Sequence, residues 1–209
     1  MNDVSPENFA RQLDIAMELG YRFVPARQIA ADGGEPMDLA VTFDDAWTSA
    51  ADHAAPILKQ RSIPWTLFVV SDWSDHQSEW TQKDILGWEA LKALSAADVE
   101  LGSHSKSHPD FSCLSEADIE AELRTSREVM HQRLGAAPAT FAIPFGQSMN
   151  WNETAHELAR AAGYEVVYSQ AENTRFPGTA PRTFVTKFDN DRIFRALLDG
   201  AFDNWEEWV

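Results

Sequence analysis

Two hydrophobic rhythms alternate along the chain. In "SPENFARQLDIAMELGY" (5–21), Phe9, Leu13, Ala16 and Met17 recur at helical spacing. A Ser N-cap, Pro at the first helical position and a stop at Gly20 frame the segment. "DLAVTF" (38–43) then reads as a short apolar strand, and "AWTSAADHAAPILKQRS" as a helix that Pro56 either kinks or starts late. "PWTLFVV" (64–70), with its aromatic and β-branched residues, is a second strand. The alternation continues with helix "GWEALKALSAAD", strand "VELGSH", helix "SEADIEAELRTSREVMHQRLG" and strand "ATFAIPF". Helix "NETAHELARAAG", strands "YEVVYSQ" and "RTFVTKF" (182–188), and helix "NDRIFRALLDG" complete it. The predicted fold class is α/β, with six or seven parallel strands in a barrel or a doubly wound layer. In either, chemistry collects at the C-terminal ends of the strands. No repeat or long linker interrupts the pattern, so residues 1–209 are expected to form a single domain.

The acidic balance, 17 Lys+Arg against 33 Asp+Glu for a net charge of −16, repels phosphate backbones and anionic lipid. Nucleic acid and membrane surfaces are therefore not expected partners. The one cysteine, Cys113, rules out an intrachain disulfide and a Cys-based zinc knuckle, and it reads as a small buried residue. The first residues lack the basic and apolar regions of a signal peptide, and no apolar run approaches a membrane span, so the chain reads as cytoplasmic.

Three strand ends carry unusual residues. "VTFDDA" sets Asp44 beside Asp45, which is either a turn or cap, or a site where one carboxylate holds a cation and its neighbour moves protons. "GSHSKSH" places His104 and His108 four residues apart, facing one way if the loop makes a helical turn. Two His and an Asp, with water in an open position, form a reasonable shell for a catalytic zinc or similar divalent ion. "FAIPFG" puts Pro144 and Gly146 at a strand end, a sharp turn that would expose backbone N–H groups to the mouth.

Together, "VTFDDA", "LGSHSKSHPDFSCLS" and "FAIPFG" resemble the ordered motifs of the polysaccharide deacetylases, the NodB-homology domain. Connecting segments such as "APILKQRSIPWTLFVV" and "RAAGYEVVYS" extend the likeness over roughly residues 5–190. The resemblance implies a distorted, incomplete (β/α) barrel and a metal-dependent hydrolase that removes N-acetyl groups from an N-acetylated carbohydrate. It implies Asp44 as general base and Asp45, His104 and His108 as metal ligands. The ion would be Zn²⁺, with Co²⁺ or another divalent ion able to substitute. The N–H near Phe145, in the Pro144–Phe145–Gly146 turn, would meet the oxyanion.

Two departures stand out. The arginine that usually orients the base is Ala142 here, as in the family's "FAYPFG"-like branch, and Arg182 is the candidate replacement or an ordinary surface arginine. The late histidine that usually serves as general acid is absent, which leaves the role to Asp44, or to His76 in the loop "SDWSDHQSEW". Trp73 and Trp80 in that region could stack on sugar or anchor the loop. Trp88 reads as core, Trp205 and Trp208 as docking the C-terminal tail or making a dimer contact, and His53, His131 and His156 as surface or packing residues. These departures keep two alternatives in view: a small-amide hydrolase of the same fold, or a turnover-deficient carbohydrate-binding protein. Oligomeric state is not legible.

Overall fold

Local signals start several of the helices. The Ser5 hydroxyl accepts the Asn8 N–H ahead of α1 (Pro6–Glu18), and Asn152 and Asn190 cap α7 (Glu153–Ala162) and α8 (Asp191–Leu198) in the same way. The computed structural model describes residues 4–75, 84–172 and 175–206. After α1 come β1 (Arg22–Phe23), α2 (Ala26–Asp32), β2 (Asp38–Leu39) and β3 (Val41–Phe43). A π-helical turn, Ala50–Ala54, leads into α3 (Ala55–Gln60), whose first turn contains Pro56. The helical backbone runs unbroken from Thr48 through this π turn, so Pro56 lies inside a continuous helical stretch and marks no late start. Next are β4 (Trp65–Val69), α4 (Ser71–Ser74), α5 (Trp88–Ser95), β5 (Glu100–Ser103) and α6 (Glu116–Leu134). β6 (Thr140–Ala142), α7, β7 (Val166–Gln170), β8 (Ala180–Arg182) and α8 complete the order.

Among the described residues, β3 to β8 form one parallel sheet in sequential order, and β1 pairs with β2 separately. The sheet curls until its edges approach: Arg182 on β8 donates to Thr42 Oγ1 on β3 at 3.3 Å. This is a distorted, incomplete (β/α) barrel whose seam is spanned by a side chain. Outside the sheet, Leu67, Val69, Trp88 and Leu91 pack with α1 and α3 in one buried cluster. Phe111, Phe141, Trp151 and Tyr164 form a second cluster against α6 and α7. The barrel interior is narrower, filled by Phe68, Ala142 and Tyr168 with Ala26 of α2.

Gly102 shows how tight that interior is. A Cβ there would lie 2.4 Å from Phe68 Cε1 and 2.6 Å from Thr140 Oγ1. Gly102→Ala is therefore expected to cost roughly 1–3 kcal/mol of overpacking, read as a lower urea midpoint with an unchanged slope.

Three expectations need correction. The sixth strand is not 182–188 but Ala180–Arg182, in register Tyr168↔Ala180 and Gln170↔Arg182. Val185 turns away to pack near Ile15 and Phe194 of α1 and α8, so the apolar run marks helix contacts rather than a strand. Cys113 is exposed, not buried, because it ends a 3₁₀ turn whose inward position is taken by Phe111. Trp205 is 59% exposed, so it does not dock the tail. That work falls to Glu206, whose carboxylate accepts from Ser148 N at 3.0 Å and Ser148 Oγ at 3.1 Å. Trp88 is buried as expected. His53 and His131 are exposed, and His156 is half-buried against Phe176. His76, Trp80 and Trp208 lie outside the described residues. Among the described residues, no helix is long and apolar enough to cross a membrane.

Candidate active site

Asp44 follows β3 directly, and the chain then enters the left-handed region at Asp45 (φ 68°) and Ala46 (φ 61°). Positive φ in two successive non-glycine residues is strained, and it turns the two carboxylates toward different partners. Asp44 meets Arg182 in a two-pronged ion pair: Nη1 donates to Oδ1 at 2.7 Å and Nη2 to Oδ2 at 2.9 Å. The guanidinium carbon lies 5.1 Å from the centre of the Phe68 ring and 6.0 Å from that of Tyr168. Ala142, fully buried beside those rings, leaves them the space that a long side chain would need. Burial alone would raise the Asp44 carboxyl, but Arg182 and then His104 outweigh it and hold the group at about 2.

Asp45 points the other way. Its Oδ1 is buried without a hydrogen-bond partner, 3.7 Å from His104 Nε2 and 3.6 Å from His108 Nε2. Its Oδ2 accepts the Trp47 indole N–H at 3.2 Å. Burial pushes the Asp45 carboxyl above its ordinary range.

The histidines converge differently from the expected helical turn. His104 continues β5, its N–H bonded to Val69 O, and left-handed residues at Ser105 (φ 71°) and His108 (φ 65°) fold the loop back. Ser105 Oγ accepts the His108 N–H at 2.8 Å. Glu122 on α6 clamps the loop from outside, taking Lys106 N and Ser107 N at 2.9 Å each and the Ser107 hydroxyl at 2.6 Å. On the other flank, the N–H groups of Ser71 and Asp72 in α4 donate to Ser105 O and Lys106 O. The sequence reading missed Glu122. Its signal, a Glu on the helix following the histidine loop, is too common to single out.

The donor set fits a divalent cation. His104 Nδ1 lies 2.8 Å from Ala142 O, which can only accept, so Nδ1 carries the proton and Nε2 presents its lone pair. Burial, and next His104, push the His108 imidazole down to about 3, so it is neutral near pH 7 as a ligand must be. The Asp45, His104 and His108 donor atoms lie within 4.8 Å of one another. A buried carboxylate oxygen with no partner costs about 1–3 kcal/mol, a cost that a cation between these three atoms would remove.

The walls are aromatic. Trp73 stacks on His108 at 5.3 Å between ring centres, and Phe145 meets the same ring edge-on at 4.7 Å. Trp73 is thus half-buried against a site histidine, a contact neither expectation for it anticipated. In the "IPFG" turn, Pro144 is buried and Phe145 (φ 63°) and Gly146 (φ 74°) are both left-handed. Gln170 of β7 braces the turn, its side-chain amide donating to Phe145 O at 2.6 Å and its N–H to Gly146 O at 2.7 Å. A Cβ on Gly146 would sit 2.9 Å from Gln170 Cγ. Only glycine satisfies both that contact and the left-handed backbone.

Among solved structures, the Streptococcus pyogenes deacetylase PplD in complex with acetate superimposes with a TM-score of 0.80 over 95% of this chain and 88% of PplD, at 20% identity. That likeness defines the fold as the curled barrel of the deacetylases. By sequence, the chain is 23% identical over 180 residues to the chitin deacetylase of Colletotrichum lindemuthianum, covering 84% of this chain and 69% of the fungal one. It is also 23% identical over 142 residues to the protein YxkH of Bacillus subtilis, covering 68% of this chain and 46%, just under half, of YxkH. The polysaccharide deacetylase family model matches residues 32–167, well over half of the 209. The chain belongs to the polysaccharide deacetylase family.

Proposed function

We propose that this protein is a divalent-metal-dependent de-N-acetylase of an amino sugar or N-acetylated oligo- or polysaccharide. The observation that carries the reading is the orphaned Asp45 Oδ1 between two imidazole Nε2 atoms, beside an ionised Asp44. Asp45, His104 and His108 would hold the ion, Zn²⁺ by donor chemistry, with Co²⁺ as a substitute. When bound, such an ion polarises the amide carbonyl and makes a water acidic near neutral pH.

The chain's own residues supply the rest. Asp44, kept ionised by Arg182 at any physiological pH, receives the proton of the attacking water. A carboxyl held at about 2 is a weak base but a strong acid once protonated, so passing the proton to the leaving nitrogen is downhill. Asp44 thereby serves both steps, which suits a chain lacking the late histidine. The Phe145 N–H, in a turn braced by Gln170, is the candidate donor to the carbonyl oxygen as charge builds on it. Trp73 and Phe145, packed on His108, would give a sugar ring apolar faces. The C–N bond breaks, and acetate and the free amine leave. Ala142 gave the turnover-deficient alternative one of its two motives, and Arg182 answers it by pairing with Asp44 from the far edge of the sheet.

Incubation with N-acetylglucosamine oligomers and Zn²⁺ or Co²⁺ should release acetate, stop on chelation and resume on adding the ion back. A protein that binds the ion stoichiometrically and releases no acetate from any N-acetylated sugar would overturn the reading.

A further inference from the structure

We infer that Trp47 is a positioning residue that makes Asp45 a one-oxygen ligand and so keeps a coordination position open. The inference rests on the metal-site reading above. A carboxylate can bind a cation through one oxygen or both, and at a crowded site the second oxygen takes the place of water or substrate. Here the two oxygens have different surroundings. Oδ1 is buried, unpartnered and within 3.7 Å of both imidazole Nε2 atoms. Oδ2 is tied to the Trp47 indole N–H at 3.2 Å. Turning Oδ2 toward the histidines would break that bond.

The donor itself is fixed. Trp47 forms an isolated antiparallel bridge with Ile85, flanked by Thr48 N to Asp84 O at 2.7 Å and Leu86 N to Ala46 O at 2.9 Å. Two left-handed residues, Asp45 and Ala46, separate Asp44 from Trp47. The indole is a donor only, so it binds the carboxylate without competing for the ion. An imidazole or thiol in its place would be a fourth ligand.

Co²⁺ is the probe, because its visible bands are intense in four- or five-coordinate surroundings and weak in near-octahedral ones. Co²⁺ is titrated into metal-free wild type and Trp47→Phe, which keeps an aromatic ring and loses the N–H. Trp47 is 38% exposed and its backbone is held by pairing, so the variant is expected to fold, as thermal unfolding will verify. Trp47→Met, also without a donor, replaces it otherwise. The inference expects Co²⁺ bands in the wild type and a shift of their positions and intensities in the donor-free variant, as the second Asp45 oxygen takes the place of a bound water in the shell. Identical band positions and intensities in both proteins would overturn it while leaving the metal site intact. No Co²⁺ bands in the wild type would overturn the metal-site reading and this inference with it.

Discussion

Asp44→Asn is expected to fold, to bind zinc to the same stoichiometry as the wild type, and to release acetate about 10²–10⁴-fold more slowly, the range for loss of a general base. The separation of binding from turnover follows from the geometry. Asp44 has both oxygens on Arg182, and its Oδ2 is 3.9 Å from His104 Nε2, whereas Asp45 alone bridges the two imidazoles. Asp45→Asn should show the reverse pattern, with zinc lost along with activity. Zinc content per chain and initial rates on one oligomer check both variants. An Asp44→Asn protein within a few-fold of wild-type rate would show that the proton goes elsewhere.

Replacing Arg182 by Met is expected to move the acid limb of the rate profile upward in pH. The sign follows from the forces on Asp44: burial raises its carboxyl, and Arg182 is the largest influence that lowers it. With Arg182 gone, burial is opposed only by the histidines, so the ionised, active form appears at higher pH. The pair also stabilises the fold. A folded-state carboxyl held low contributes above its unfolded value, near 4, and that contribution fades as pH falls toward about 2. Because the Asp44 side chain is 35% exposed, the loss at neutral pH is about 1–3 kcal/mol, below the figure for a fully buried pair. Arg182→Lys should restore only part of either effect, since an ammonium cannot match the two-pronged geometry over the Phe68 ring. Profiles of kcat/KM against pH for the three proteins decide the matter. Superimposable acid limbs would show that Arg182 does not tune the base.

The parts legible in the sequence were those coded locally. Alternating strand and helix periods put Asp44, Asp45, His104 and the Pro144–Gly146 turn at strand ends because such ends are where apolar runs stop. The convergence of the histidines was legible as spacing but not as geometry, since the left-handed Ser105 and His108 come from clamping by Glu122 and α4 rather than from local preference. α2 and β1 escaped notice because "PARQIAADGG" carries little apolar periodicity and β1 has only two residues. Ala142 told that a cation was missing, not where its substitute would come from. Arg182 could not be told from a surface arginine until the sheet curled and brought β8 against β3. Trp47 lay in plain view after "DDA", yet its role depends on which carboxylate oxygen is buried.

The Asp44–Arg182 pair joins residues 138 positions apart across the barrel seam. The sequential strand pairings from β3 to β8 shorten the loop that this contact closes. Asp44 therefore meets its cation only when both edge strands of the sheet are in place. A chain without β8 would lack the guanidinium that holds the Asp44 carboxyl low. On the proposed mechanism, turnover thus depends on the last strand of the sheet meeting the first, through one guanidinium.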